Sequence, residues 1–364
     1  MTNTVPARSG IMNISPYVGG ESKLQGQDRI TKLASNEGPF GPSPKAIQAM
    51  VDAAGTMHRY PDGGASQLRE AIAKRFGLDA SRIVCGAGSD EIISLLCSAY
   101  AGPGDEVLYS EHGFLMYPIS AHAAGATPVK AIETDLTTDV DALLDAVTDK
   151  TRMVFIANPN NPTGTYLARA ELVRLRAGLP EDVLLVIDAA YAEFVNRNDY
   201  SAGVEFVDAG QNTVMTRTFS KLFALGGLRV GWGYFPSEIA DVLNRVRGPF
   251  NVSSVGQAAA IASLNDLDFQ EKSRAHNLEW VEKTEAGLHA LGIATTASTA
   301  NFVLARFDDA KTADACDSYL RCQGIIVRQM RGYGLPDCLR ITIGTADEME
   351  AFLSAMKTFL GNRA

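Results

Sequence analysis

A lysine follows an apolar, strand-like run and precedes a glycine-rich turn. Lys221 comes directly after residues 213–220, and Arg229 lies eight positions further along the chain. Burial at the end of a strand makes a charged ammonium costly and lowers the pKa of the amine. Such an amine can form a Schiff base with an aldehyde, and a nearby arginine can bind a phosphate. The pair suggests pyridoxal 5′-phosphate (PLP), although a merely exposed lysine is the more common outcome at a strand end.

Two further polar groups directly follow predicted strands. The segment NPNNPTG at 158–164 predicts a tight, non-helical turn, and its Asn161 could donate a side-chain N–H to a ring hydroxyl or phenolate. Asp188 ends the apolar run 183–187, where a buried carboxylate needs a cationic partner such as a protonated pyridine nitrogen. Tyr191 could reach the same ring. An ordinary turn and an ordinary helix cap are the competing interpretations.

A short glycine-containing segment, GAGSDE, precedes a helical pattern. At a helix N-terminus, Gly88, Ser89 and Asp90 would present free N–H groups to an anion. Plain helix capping is the alternative. Phe114 and Tyr117 lie near the start of the next predicted helix, where an aromatic ring can stack on a planar cofactor or simply join the core.

The overall composition limits the classes of protein. The 364 residues suffice for two domains or for one large α/β domain with an appendage. A net charge of −9 argues against a nucleic-acid-binding or anionic-membrane surface. The sequence has neither an apolar stretch of membrane-spanning length nor the apolar core of a signal peptide at its start. We therefore expect a cytoplasmic protein without nucleic-acid or membrane partners.

The cysteines and histidines indicate no metal site. The five histidines form no HxxxH or HExxH pair. The five cysteines have no CxxC spacing, which is typical of reduced, structural thiols. These cysteines are Cys85, Cys97, Cys316, Cys322 and Cys338.

Short β-branched runs alternate with helical segments from about residue 66 to 235, which predicts a mostly parallel sheet. The predicted strands are 106–109, 152–157, 183–188, 213–216 and 228–235. The predicted helices between them are 89–100, 114–124 and 168–177.

After residue 236 the pattern changes to that of a smaller α+β domain. The predicted helices are 253–264, 266–291, 310–323 and 347–360, with the second one bent or continuous. The predicted strands are 301–306, 325–328 and 339–343. The first forty residues are irregular and rich in Gly and Pro, so we expect them to cover other parts of the molecule.

These motifs, in this order between residues 86 and 231, resemble the fold-type I PLP-dependent aminotransferases. The resemblance implies an α/β fold, with a mostly parallel seven-stranded sheet between helices in a large domain at 43–262. It implies that 1–42 and 263–364 form an N-terminal arm and a small C-terminal domain. It also implies a homodimer, in which Tyr60 reaches the cofactor phosphate of the neighbouring subunit.

The same resemblance assigns roles to the candidate residues. Lys221 would be the Schiff-base lysine and Asp188 the partner of the pyridine nitrogen. Asn161 and Tyr191 would contact the ring oxygen O3′, and Phe114 would stack on the ring. The residues implied to hold the phosphate are Gly88, Ser89, Asp90, Thr218, Ser220 and Arg229.

Within this family, the chain is most similar to the histidinol-phosphate aminotransferases. The resembling segments are 16–22 (PYVGGES), 33–37 (LASNE), 41–44 (GPSP), 324–328 (GIIVR) and 338–345 (CLRITIGT). The similarity implies that Arg340 pairs with a substrate α-carboxylate, beside Asn161. Tyr17 and Arg328 would face the distal end. Because histidinol phosphate has no carboxylate, Arg340 and Arg328 would then share its phosphate.

The implied reaction is a two-stage transamination within histidine biosynthesis. Histidinol phosphate would give imidazole-acetol phosphate, and 2-oxoglutarate would become glutamate. Lys221 would move a proton between the substrate α-carbon and the cofactor, and Asp188 would keep the pyridine nitrogen protonated. Tyr191 would assist at the ring oxygen.

Two positions depart from the family pattern and leave the substrate open. Residues 36–40 read NEGPF where Asn-Glu-Asn-Pro is usual, and Phe114 stands where Tyr is frequent. An aromatic amino-acid (Phe/Tyr) aminotransferase is therefore an alternative. A PLP lyase of the threonine-phosphate decarboxylase type shares the same motifs. A non-catalytic α/β binding module would have no use for Lys221.

Overall fold

The computed structural model describes residues 5–17, 19–24, 26, 30–210 and 212–361. Numbered in chain order within these residues, the α-helices are α1 (Pro44–Ala54), α2 (Ser66–Phe76), α3 (Ser89–Tyr100), α4 (Met116–Ala124), α5 (Val140–Asp145), α6 (Arg169–Gly178), α7 (Val204–Asp208), α8 (Ser237–Val246), α9 (Ser254–Leu264), α10 (Leu267–Ala290), α11 (Ala310–Cys322) and α12 (Ala346–Gly361). The strands are β1 (Thr31–Lys32), β2 (Ile83–Gly86), β3 (Glu106–Ser110), β4 (Thr127–Ala131), β5 (Glu133–Thr134), β6 (Thr137–Thr138), β7 (Thr151–Ala157), β8 (Leu184–Asp188), β9 (Thr213–Thr218), β10 (Gly231–Tyr234), β11 (Ala294–Thr295), β12 (Phe302–Arg306), β13 (Ile325–Ile326), β14 (Arg328–Met330) and β15 (Leu335–Thr342).

Within the described residues, the largest sheet has seven strands in the order β2-β10-β9-β8-β7-β3-β4. β10 is antiparallel to both of its neighbours, whereas the pairs from β9 to β4 are parallel. Strands β8 and β9 are buried along their whole length, as expected for a sheet with both faces covered. After β3 the chain proceeds to one edge of the sheet, and after β7 it proceeds towards the other. Such a change of direction leaves a crevice at the carboxyl ends of the strands.

The C-terminal part contains a four-stranded antiparallel sheet in the order β11-β12-β15-β14. Apolar side chains from one face of β12 and β15 form a core cluster with residues of α10, α11 and α12. The N-terminal segment joins this part, because β1 pairs in parallel with β13. The mostly parallel seven-stranded sheet and the smaller α+β region confirm the predicted fold class.

Several elements differ from the sequence prediction. Helices α1, α2, α5, α7 and α8 were not predicted. The single strand predicted at 325–328 is two strands, because β13 pairs with β1 whereas β14 pairs with β15. The strand predicted at 228–235 is shorter, because Gly226–Leu228 form a 3-10 turn and Arg229 is left-handed with φ of 54°. Strand β4 was not predicted, since it lies at the sheet edge and is mostly not buried. The domain boundaries stay a prediction, and the one at 262 falls inside α9.

In the described part of the chain, no helix combines the length and the apolar character needed to cross a membrane. The same residues contain no group of three or more His, Cys, Asp or Glu placed to hold a metal ion.

Candidate active site

A cavity of about 510 Å³ lies at the carboxyl ends of β7, β8 and β9 and reaches the small sheet at β15. The structure brings most of the predicted site residues to this cavity, although they come from distant segments. The predicted residues that line it are Tyr17, Ser89, Asp90, Phe114, Asn161, Asp188, Tyr191, Thr218, Ser220, Lys221, Arg229, Arg328 and Arg340.

Lys221 lies three residues beyond the end of β9, in a loop held by buried neighbours. Phe219 and Leu222 pack into the core of the large sheet, so the lysine side chain is turned towards the cavity. Burial, followed by the positive charge of Arg340, lowers the pKa of Lys221 to about 8. Its Nζ lies 5.6 Å from the centroid of the Tyr191 ring. The amine is therefore far more available in its neutral form than an ordinary lysine.

Asp188 ends β8 and is 4% exposed. Its carboxylate accepts hydrogen bonds from the Tyr117 hydroxyl at 2.9 Å and from the Thr216 hydroxyl at 3.2 Å. Burial raises the pKa of Asp188, and the hydrogen bonds from Tyr117 and Thr216 partly oppose this rise. Because both of these donors are uncharged, the carboxylate can still accept a charged N–H donor inside the cavity.

The turn before α3 forms one end of the cavity. Gly88 is its N-cap residue and has φ of 87°. A Cβ at Gly88 would lie 2.1 Å from Asp90 Oδ1 and 2.2 Å from Arg229 Nη2. The backbone N–H of Gly88 already donates to the Gly86 carbonyl at 2.8 Å. Gly88 is therefore important because it has no side chain that could collide with Asp90 and Arg229. The N–H groups at the start of α3 belong to Ser89 and Asp90.

Arg229 extends this end of the cavity with a fixed positive charge. Its Nη2 pairs with Asp90 Oδ1 at 2.5 Å, and its Nη1 donates to the Gly226 carbonyl at 3.0 Å. The Thr218 hydroxyl donates to Ser220 Oγ at 3.0 Å beside it. A cation, hydroxyl groups and helix N–H groups together form a site suited to a phosphate.

Arg340 lies at the other end of the cavity, on β15, and is 5% exposed. It donates to Asn161 Oδ1 and, at 3.1 Å, to the Ala34 carbonyl. Because arginine can only donate, the Asn161 amide must present its oxygen to Arg340, which leaves its NH₂ group for another acceptor. Within the described residues, Arg340 Nε has no hydrogen-bond partner although it is buried.

Tyr17, Arg328 and Tyr333 complete this second end of the cavity. Tyr17 is half-exposed, whereas Tyr333 is buried and accepts a hydrogen bond at its carbonyl from His112 Nδ1 at 2.7 Å. Arg328 starts β14, directly opposite Arg340 in the register of the small sheet. Two arginines on adjacent strands make this end suited to a second anion.

Tyr60 is the predicted residue that the structure places away from the cavity. It is 82% exposed, and its ring stacks on that of Phe250 with centroids 4.7 Å apart. Its predicted contact with a neighbouring subunit stays a prediction.

The class I and II aminotransferase family model matches residues 28–356 of this chain. The chain belongs to that family.

Close relatives of this aminotransferase match it along almost its whole length. It is 62% identical over 361 residues to the histidinol-phosphate aminotransferase of Paramagnetospirillum magneticum, covering 98% of this chain and 99% of the relative. It is 60% identical over 355 residues to that of Rhodospirillum rubrum, covering 97% and 96%. The crystal structure of histidinol-phosphate aminotransferase from Sinorhizobium meliloti in complex with PLP matches with a TM-score of 0.92 and 28% identity, covering 100% of both chains.

The cavity of this aminotransferase fits PLP. The start of α3 with Arg229 can take the phosphate, and the buried Asp188 carboxylate can accept a pyridinium N–H. A Cβ at Gly88 would collide with Asp90 and Arg229 and so distort the phosphate end. Lys221 lines the same cavity with a lowered pKa. The donor set therefore matches each polar part of the cofactor.

Several contacts of the aminotransferase site were not predicted from the sequence. Tyr117, expected either to stack on a planar cofactor or to join the core, donates a hydrogen bond to Asp188 from 71 positions away. Asn36, which had no predicted role, donates to Tyr191 from 155 positions away. The Ala34 carbonyl accepts a hydrogen bond from Arg340, and Tyr333 lines the cavity. The resemblance of the segment LASNE to the family pattern was the available signal for Asn36.

Proposed function

We propose that this aminotransferase transfers the amino group of histidinol phosphate to 2-oxoglutarate, using PLP bound at Lys221. The products are imidazole-acetol phosphate and glutamate, in a step of histidine biosynthesis. The observation that carries the proposal is one cavity in which Lys221 and Asp188 lie between two cationic ends, at Arg229 and Arg340. The names of the relatives at 62% and 60% identity support the choice of substrate.

Lys221 acts as the proton carrier. When bound, PLP supplies an aldehyde that exchanges amino groups and an electron-poor ring that accepts the electron pair of the substrate α-carbon. With a pKa of about 8, roughly a tenth of the free Lys221 amine is neutral at pH 7 and can take the α-proton. The same amine, now protonated, then donates that proton to the cofactor.

Asp188, Asn161 and Tyr191 hold the ring in the form that the reaction needs. The buried Asp188 carboxylate favours a protonated pyridine nitrogen, because the two charges stabilise each other away from water. The Asn161 NH₂ group and the Tyr191 hydroxyl serve as donors to the ring oxygen. Phe114 packs against the ring face.

Substrate binding falls to the end formed by Arg340, Arg328 and Tyr17. Histidinol phosphate places its phosphate between the two arginines, and glutamate places a carboxylate there in the other half of the reaction. One pair of arginines therefore serves both substrates.

The active form is a homodimer in which Tyr60 contributes to the neighbouring subunit's cofactor phosphate. The exposure of Tyr60 and its stacking on Phe250 support this part of the proposal, because large exposed aromatic residues are typical of interfaces. Cytoplasmic location also remains part of the proposal.

The Lys221→Ala variant tests the proton carrier. It should remain folded, by circular dichroism, and lose transamination of histidinol phosphate. Lys357→Ala, on an exposed position of α12, is the matched control and should keep full activity. Full activity in Lys221→Ala would contradict the proposal.

Substrate choice is tested by kcat/KM for histidinol phosphate against phenylalanine and tyrosine, with 2-oxoglutarate as acceptor. The proposal expects the largest value for histidinol phosphate. A larger value for either aromatic amino acid would favour the aromatic aminotransferase alternative. Release of carbon dioxide from a phosphorylated amino acid, without exchange with 2-oxoglutarate, would favour the lyase.

A further inference from the structure

A buried asparagine connects the N-terminal segment, the small sheet and Tyr191. Asn36 is buried and left-handed, with φ of 53°. Its backbone N–H donates to Thr342 Oγ1 at 2.8 Å, and the Thr342 hydroxyl donates to Asn36 Oδ1 at 3.0 Å. Asn36 Nδ2 donates to Tyr191 Oη at 2.9 Å. A chain of hydrogen bonds thus runs from the end of β15 to Tyr191.

The direction of each hydrogen bond follows from the number of protons available. The Thr342 hydroxyl accepts from the backbone of Asn36, so its single proton is free to go to Asn36 Oδ1. This contact leaves the NH₂ side of the amide facing Tyr191, where it can only donate. The Tyr191 hydroxyl therefore accepts from Asn36, and its own proton is available to an acceptor in the cavity.

We propose that Asn36 and Thr342 are positioning residues that hold the Tyr191 hydroxyl as a donor towards the ring oxygen of bound PLP. This inference rests on the proposed function, because Tyr191 has this acceptor only when PLP is bound. The arrangement also links the cofactor to the substrate end of the cavity. Thr342 and Arg340 lie two positions apart on β15, so both side chains project from the same face of the strand.

If Asn36 and Thr342 position the Tyr191 hydroxyl, substituting them should change the pH dependence of the visible absorbance. A hydrogen bond donated to an oxygen favours the anionic form of that oxygen. When the visible chromophore formed by PLP and Lys221 loses its proton, the ring oxygen keeps a negative charge that the proton no longer balances. The hydrogen bond from Tyr191 therefore lowers the pH midpoint of the absorbance change, and losing that bond raises the midpoint.

The first test compares two substitutions at Thr342 by pH titration of the visible absorbance of the holoenzyme. Thr342→Val keeps the shape of the side chain and removes the hydroxyl, so the midpoint should rise by roughly half a pH unit or more. Thr342→Ser keeps the hydroxyl and should keep the wild-type midpoint. An unchanged midpoint in Thr342→Val, or equal shifts in both variants, would overturn the proposal.

The second test asks whether the effect passes through Tyr191. Tyr191→Phe should raise the midpoint by itself, and adding Thr342→Val should then have no further effect. Additive shifts in the double variant would mean that Thr342 acts by another route, which contradicts the positioning role.

Asn36→Asp keeps the test decisive where Thr342→Val does not fold. A carboxylate accepts from both Thr342 and Tyr191, which turns the Tyr191 proton away from the cavity. The midpoint should rise more in the wild-type background than in the Tyr191→Phe background, where only the added charge acts. Equal shifts in both backgrounds overturn the proposal. A wild-type protein without a borohydride-sensitive visible chromophore would instead contradict the proposed function itself.

Discussion

The two ends of the cavity differ in where their residues come from and in how far they are removed from water. The end near α3 is assembled from two short segments beside neighbouring strand ends, and its Arg229–Asp90 pair is 46% and 41% exposed in the side chains. The end near β15 takes residues from the N-terminal segment, the loop after β7 and the small sheet. Its Arg340 is buried.

This difference determines at which end of the cavity a bound anion has the more favourable interaction energy. Arg229 already pairs with a carboxylate in a solvated setting, where such pairs contribute little. Within the described residues, Arg340 donates to the neutral oxygens of Asn161 and Ala34, and burial lowers the pKa of its guanidinium. A phosphate or carboxylate ligand therefore supplies the negative partner that the positive charge of Arg340 lacks. Substrate recognition should depend more strongly on Arg340 than cofactor binding depends on Arg229.

The largest expected effect comes from Arg340→Gln. Removing a buried charge that binds an anionic group should lower kcat/KM for histidinol phosphate roughly 10²- to 10³-fold. The occupancy of PLP, measured by visible absorbance, should stay near that of the wild type, because Arg340 lies at the other end. Arg306→Gln, at an exposed position of β12, is the matched control. If Arg340→Gln also loses PLP, Arg340 contributes to cofactor binding and the proposed difference between the two ends is wrong.

Gly88→Ala should weaken PLP binding at the end of the cavity near α3. The new Cβ would meet Asp90 and Arg229 at 2.1 and 2.2 Å, in a backbone with φ of 87°. Strain and displaced Arg229 should weaken PLP binding by roughly tenfold or more, at a cost of about 1–3 kcal/mol. Gly77→Ala is the control for adding a methyl group at a glycine of positive φ, since its Cβ would meet nothing within 4 Å. Equal PLP dissociation constants for the two variants would show that the clash has no effect.

The same difference explains how much could be predicted from the sequence. Lys221, Asp188 and Asn161 each lie at or just beyond the end of a strand of the large sheet, so local patterns place them at one edge. Their place at one cavity could be predicted because strand ends and glycine turns are encoded in a few neighbouring residues. The parallel sheet itself could be predicted for the same reason.

The remaining features depend on pairing between distant segments. A run such as 325–328 carries no sign that its first half pairs with β1 and its second half with β15. The bond between Tyr117 and Asp188 and the chain through Asn36 and Thr342 likewise join separate elements. Side-chain periodicity specifies which face a residue occupies, but it does not specify its partner.

Lys221→Met should stabilise the PLP-free protein at neutral pH. The folded pKa of about 8 lies below the ordinary value of 10.5, so the unfolded chain binds more protons between these values. Lys221 therefore destabilises the fold fully below pH 8, and this penalty disappears as the pH rises towards 10.5. At pH 7 the variant should gain roughly 3 kcal/mol in free energy of unfolding by urea denaturation, and close to nothing at pH 10.5. A gain that is independent of pH would indicate a packing effect instead.

The smallest expected effect lies where the N-terminal segment meets the loop at 219–225 that carries Lys221. A Cβ at Gly38 would lie 2.7 Å from Ala224 Cβ and 3.4 Å from the Lys221 carbonyl oxygen. This packing accounts for glycine at a position where the family usually has asparagine. Gly38→Ala should cost about 1–2 kcal/mol in free energy of unfolding, by urea denaturation. Gly55→Ala, with nothing within 4 Å, should be close to neutral.

Ala224→Gly shows whether that cost comes from the contact itself. Ala224 is left-handed with φ of 54°, so glycine relieves backbone strain and also removes the methyl group that Gly38→Ala would meet. The double variant should therefore regain most of the stability lost in Gly38→Ala, with a coupling of about 1 kcal/mol. Purely additive effects would place the cost in the N-terminal segment alone. Coupling would place the cost in the contact between residue 38 and Ala224, where the N-terminal segment packs against the loop that carries Lys221.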